Sequence, residues 1–119
     1  MRRTDTAVEQ ELLRGVAQIG ATHDRKKLRA QLTRTLTQLR RTRASTADGR
    51  RARKLAIQGF ESTLEGVKSL IDFDENDSGN IEAATRDAKR ADRYLKRGAN
   101  QLRAAGAALG VRIGDLNGY

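Results

Sequence analysis

IEAATRDAKRADRYLKRGANQLRAAGAAL, residues 81–109, is the stretch whose reading decides the fold. Ile81, Ala84, Ala88, Ala91, Leu95, Gly98, Leu102, Ala105 and Leu109 recur at steps of three and four through four heptads. That is the period of a long helix with one inward row. Ala84, Ala91, Gly98 and Ala105 stand seven apart within it. Glycine inside a helix costs about 1 kcal/mol relative to alanine, so a glycine in register with alanines points to packing rather than chance. A partner for this row lies upstream. Ile57, Phe60, Leu64, Val67 and Ile71 repeat at steps of three and four, beside a stripe of mostly small residues, Ala52, Ala56, Gly59, Thr63 and Gly66. Small side chains allow helix axes to approach to about 8 Å. The spacing therefore predicts an antiparallel hairpin of a third and a fourth helix over residues 46–109, with arms roughly 40–45 Å long.

Outward from the hairpin, two shorter helices are expected in residues 6–44. Thr6 with Glu9 three residues on reads as a capping box. Val8, Leu12, Val16 and Ile19 then share a face, and Gly20 is a natural stop. The second helix is expected over residues 23–44, on Leu28, Leu32, Leu36 and Leu39. ASTADG, residues 44–49, reads as a turn in which Ser45 and Asp48 form a capping pair, though the pattern also accommodates a helix running straight through. The third helix carries two adjacent stripes, so one partner cannot cover it. Either the first two helices do so or a second copy does. The tail, residues 110–119, places Val111, Ile113, Leu116 and Tyr119 between glycines, suited to folding back on the bundle. The expectation is one all-α domain over residues 1–119, an elongated antiparallel bundle of about four helices.

Composition agrees. There is no proline to break a helix and no cysteine for a disulfide, a zinc–thiolate site or a thiol nucleophile. Only 22 residues are Val, Ile or Leu. So thin a core favours close helix contact or self-association into a homo-oligomer. No segment approaches the roughly 20 apolar residues of a membrane span, and the arginines at the start precede no apolar run. A cytoplasmic protein without a membrane role is expected.

Charge is unevenly spread. Residues 1–54 carry net +10 and residues 55–119 net −1. Within residues 25–54 stand twelve basic residues, Arg25, Lys26, Lys27, Arg29, Arg34, Arg40, Arg41, Arg43, Arg50, Arg51, Arg53 and Lys54, against Asp48 alone. Solvated helix faces usually mix signs, and this one does not. Guanidinium forks suit phosphate geometry. The block therefore points to nucleic acid or another polyanion as partner. It contains no aromatic residue for base stacking and matches no recognisable reader module, so contact is expected with phosphates, without sequence specificity.

A second motif lies between the long helices. Over residues 74–85 the chain resembles an EF-hand calcium loop. Asp74, Asn76 and Ser78 fall at its first, third and fifth positions, Gly79 at the turn, Asn80 at the seventh and Glu82 at the ninth. The resemblance implies a calcium site built from these oxygens. It departs at the twelfth position, where Thr85 replaces the bidentate glutamate. The alternative is an elbow between antiparallel helices, with Asn80 or Ser78 capping the fourth helix and Glu82 in its first turn. The elbow accounts for more of these residues.

Nothing in the sequence assembles a catalytic centre. His23 is the sole histidine, Glu61 and Glu65 lack a matching Glu-x-x-His pair, and there is no phosphate loop or serine triad. No enzymatic role and no cofactor are expected. Beside polyanion binding stand two other readings, a self-associating structural or adaptor module and a calcium-responsive hairpin.

Overall fold

The structure, a computed structural model, describes residues 5–76 and 79–114. Four helices follow one another: α1 (Thr6–Ala21), α2 (Arg25–Arg41), α3 (Ala47–Asn76) and α4 (Ile81–Ala108). The described residues contain no strand. The molecule is a rod of 57 × 21 × 20 Å. Its length is set by α3 and α4, of 30 and 28 residues, which run antiparallel for about 45 Å and 42 Å.

The small residues lie where the heptad spacing placed them. Leu102 seats on Gly59, where a Cβ would stand 2.7 Å from its Cγ. One heptad away, Leu95 seats on Gly66 at the same 2.7 Å. Gly98 faces the α3 turn between Gly59 and Thr63, and a Cβ there would come within 2.9 Å of the Gly59 carbonyl oxygen. Leu95 and Leu102 of α4 thus each meet a glycine of α3. Thr63 donates its hydroxyl to the Gly59 carbonyl at 2.8 Å, and Ser62 donates to Gln101 at 2.8 Å. The polar atoms of this close seam therefore have partners.

The other helices cover the open side of the hairpin. Leu28, Leu32 and Leu39 of α2 and Val8 and Leu12 of α1 are fully buried in one core with Phe60. Burying one such leucine contributes about 2 kcal/mol. Phe60 presses on Gly15 of α1, where a Cβ would overlap its ring. α1 touches the other three helices, whereas α2 and α4 share no contact among the described residues. α2 and α4 occupy opposite corners of the bundle.

The helix boundaries differ from expectation in ways that side chains explain. Thr6 is already inside α1; Asp5 occupies the cap position but makes no side-chain capping bond. Its carboxylate reaches across to the α2–α3 turn instead. It accepts from the Ser45 amide at 2.7 Å, the Ser45 hydroxyl at 2.6 Å and the Thr46 amide at 3.0 Å, and also from the Thr46 hydroxyl. α2 starts later than expected because Asp24 caps it, accepting from the Lys27 amide at 3.1 Å. The chain is not helical from Thr42 to Thr46, so α2 and α3 are separate helices. Thr46, not Ser45, caps α3: its hydroxyl oxygen accepts from the Gly49 amide at 2.9 Å.

The inward row of α4 is shorter than its spacing predicts. Ala84 is buried, but Ile81 is 83% exposed and Ala88 faces solvent. The reason is a mismatch of lengths. α1 begins beside the first residues of α3, where Asp5 meets Ser45 and Thr46, and Gly15 has already reached Phe60. With only 16 residues, α1 covers the half of the hairpin remote from the elbow. At the other end the tail turns back. Gly110 adopts φ 71°, a left-handed conformation suited to glycine. The Gly110 amide donates to Ala107 at 3.1 Å and the Val111 amide to Gly106 at 2.8 Å, the two bonds of a Schellman ending. Ile113 is then buried over Gly106. Leu116 and Tyr119 lie outside the described residues.

Candidate nucleic-acid interface

α2 buries Leu28, Leu32, Thr35, Leu36 and Leu39, which turns its basic residues outward. Heptad spacing aligns Lys27, Arg34 and Arg41 along one side, about 10 Å apart. Three members of the basic block have structural duties. Arg25 pairs with Asp74 at 2.5 Å and donates to the Leu70 carbonyl at 3.3 Å, fastening the start of α2 to the end of α3. Arg40 pairs with Glu61 at 3.1 Å. Arg53 donates to the Leu39 carbonyl at 2.9 Å and the Arg40 carbonyl at 2.7 Å. Those carbonyls belong to the last turn of α2, where unsatisfied acceptors and the helix dipole both favour a cation.

The Arg53 bonds hold the first turns of α3 against the end of α2. They join the two arginine clusters on either side of the turn into one surface. The other nine, Lys26, Lys27, Arg29, Arg34, Arg41, Arg43, Arg50, Arg51 and Lys54, are all exposed. Among the described residues none of the nine is in a salt bridge. Asp5 lies beneath this turn. Bonds from the Ser45 hydroxyl, then the Thr46 hydroxyl and the Ser45 amide, outweigh desolvation and hold its carboxyl well below the usual carboxylate range. The turn between the clusters is thereby tied to the N-terminus of α1.

Three of the elbow residues, Asp74, Asn76 and Asn80, have protein partners. Asp74 lies in the last turns of α3 and holds Arg25. The Asn76 amide donates to Asp87 at 3.0 Å. Asn80 caps α4 through its side-chain oxygen, accepting from the Ala83 amide at 3.0 Å. Glu82 is exposed in the first turn of α4. Ser78 lies outside the described residues. No group of three or more His, Cys, Asp or Glu side chains placed to hold a metal ion comes together among the described residues. Glu61 and Glu65 pair separately, with Arg40 and with Lys68 at 3.5 Å. His23 is exposed. No helix is long and apolar enough to cross a membrane, among the residues described.

One surface escaped the reading of the sequence. Arg86, Arg90, Arg93 and Arg97, at steps of four, three and four, are all exposed on the face of α4 opposite Ala84, Ala91 and Gly98. Net charge hid them, because the acidic residues that balance residues 55–119 include Glu61, Glu65, Asp72, Asp74 and Glu75 of α3, a different helix. The signal was the same periodicity, read for arginine instead of alanine.

Compared with known proteins, the chain matches no family model, no curated protein and no solved structure. Any functional conclusion therefore rests on these surfaces alone.

Proposed function

We propose that the protein is a non-enzymatic, all-α nucleic-acid-binding module that grips the phosphate backbone without reading sequence. The observation that carries this is the joined α2–α3 surface. Nine exposed Lys and Arg side chains, eight on two helices pinned together by Arg53 and Arg43 in the turn between them, have no carboxylate pairing them among the described residues. Like charges so gathered repel one another, and a polyanion relieves that repulsion while releasing its own counterions. The absence of aromatic residues from the block favours duplex or backbone contact over stacked single strands. Self-association has less support, since Leu13 and Ile81 are the only exposed large hydrophobics among the described residues.

The test is a salt titration of binding to mixed-sequence duplex DNA and RNA. Each phosphate contact contributes a slope of about −0.9 in log K against log salt on B-form DNA. A slope near −4 to −6 is expected, with little dependence on sequence, and K27Q/R34Q/R41Q reduces it by two to three. Absence of binding at low salt overturns the proposal.

A further inference from the structure

We infer that α4 carries a second phosphate-binding surface, separate from the α2–α3 surface, so that one molecule holds two nucleic-acid segments at once. This rests on the reading of the protein as a nucleic-acid binder and adds its valency. Arg86, Arg90, Arg93 and Arg97 span eleven residues, about 16 Å along one side of α4. Lys89 is exposed among them. The acidic residues of α4 do not neutralise this face. Asp92 pairs with Lys96 at 3.0 Å and Asp87 accepts from Asn76 at 3.0 Å. Glu82 shares the face one turn before Arg86, yet among the described residues none of the four arginines is in a salt bridge. Arg97 lies over the Tyr94 ring at 5.3 Å, a cation–π contact that holds one end of the stripe in place. The row meets the two requirements of a backbone grip, an excess of positive charge and regular spacing along a straight element.

The stripe cannot belong to the first surface. α2 and α4 stand at opposite corners of the bundle and do not touch, and each turns its apolar residues inward. Their basic faces look away from each other across a rod about 20 Å thick. A duplex on one face leaves the other free. Two sites fixed back to back in a rigid body bring two duplexes together without any contact between protein molecules.

The experiment measures how many 12-base-pair duplexes each chain binds at low salt, and whether donor- and acceptor-labelled duplexes give energy transfer when mixed with protein. The wild type is expected to bind two duplexes per chain and to give transfer. R86Q/R90Q/R93Q/R97Q, whose side chains are all exposed, is expected to keep the wild-type melting temperature, to bind one duplex, and to lose transfer by at least tenfold. The inference is overturned if the wild type binds a single duplex without transfer. It also fails if the fourfold variant bridges like the wild type, as it would were bridging due to dimers. Complete absence of duplex binding by the wild type is the distinct result that removes the underlying proposal.

Discussion

Alanine at Gly98 tests the contact on which the hairpin depends, and alanine at Gly20 provides the comparison. Both glycines are helical, so both substitutions remove a conformational penalty of up to about 1 kcal/mol. At Gly20 the new Cβ meets nothing within 4 Å, and the gain is realised. At Gly98 it would collide with the Thr63 hydroxyl and stand 2.9 Å from the Gly59 carbonyl oxygen and 3.0 Å from the Thr63 amide nitrogen. The hydroxyl can rotate away, at the loss of its bond to Gly59, worth about 1 kcal/mol. The carbonyl and amide belong to the α3 backbone and cannot. Restoring ordinary contact requires the arms to part by roughly half an ångström, which loosens Leu102 on Gly59 and Leu95 on Gly66 as well. Overpacking of this kind costs about 1–3 kcal/mol. Set against the propensity gain, G98A should lose about 1–3 kcal/mol and G20A gain about 0.5–1 kcal/mol. At roughly 4 °C per kcal/mol for a domain of this size, the Tm of G98A falls by about 4–12 °C and that of G20A rises by a few degrees. Thermal and urea melts followed by circular dichroism read both. A G98A variant as stable as the wild type would refute the close-contact argument.

The Asp5 carboxylate, held low by Ser45 and Thr46, stabilises the fold above the carboxylate's unfolded value near pH 4, and that contribution fades as pH falls towards its depressed folded value. D5N should therefore melt below the wild type at pH 7, with the gap narrowing steadily as pH falls below about 4; a gap constant with pH counts against the carboxylate's role. G110A forces a side chain into the φ 71° conformation and should lose about 1–2 kcal/mol in urea unfolding. N80A removes the cap of α4 and should lose about 1 kcal/mol, whereas N80S and N80D, which keep an acceptor, should lose less.

The hairpin was legible in the sequence because its signal is periodic and local. Gly59 and Gly66, with Gly98 in register with Ala91 and Ala105, pointed to a seam that Leu95 and Leu102 complete. Pattern could not say how far along the rod α1 would reach, and so it placed Ile81 and Ala88 inward when nothing covers them. Nor could it foresee that Asp5 would leave its own helix to bind a turn forty residues away. Capping residues that compete for partners are settled by tertiary contact, as at Thr46, whose hydroxyl both donates to Asp5 and accepts from the Gly49 amide. The basic block was visible as composition. Its continuity across the turn depends on Arg53, whose acceptors are backbone carbonyls and leave no trace in a charge count.

Because α1 is barely half as long as α3, the rod is built unevenly. From Gly98 to Gly106 α4 buries five residues, while its first fourteen bury only Ala84 and Ala91. Stability should accordingly fall off from one end to the other. Deuterium should enter the amides of the elbow end first, and a protease that nicks the folded protein should find α4 near Ile81 long before it finds Leu102. The molecule resembles a clothes-peg more than a rivet: clenched at one tip, with its other tip free to breathe.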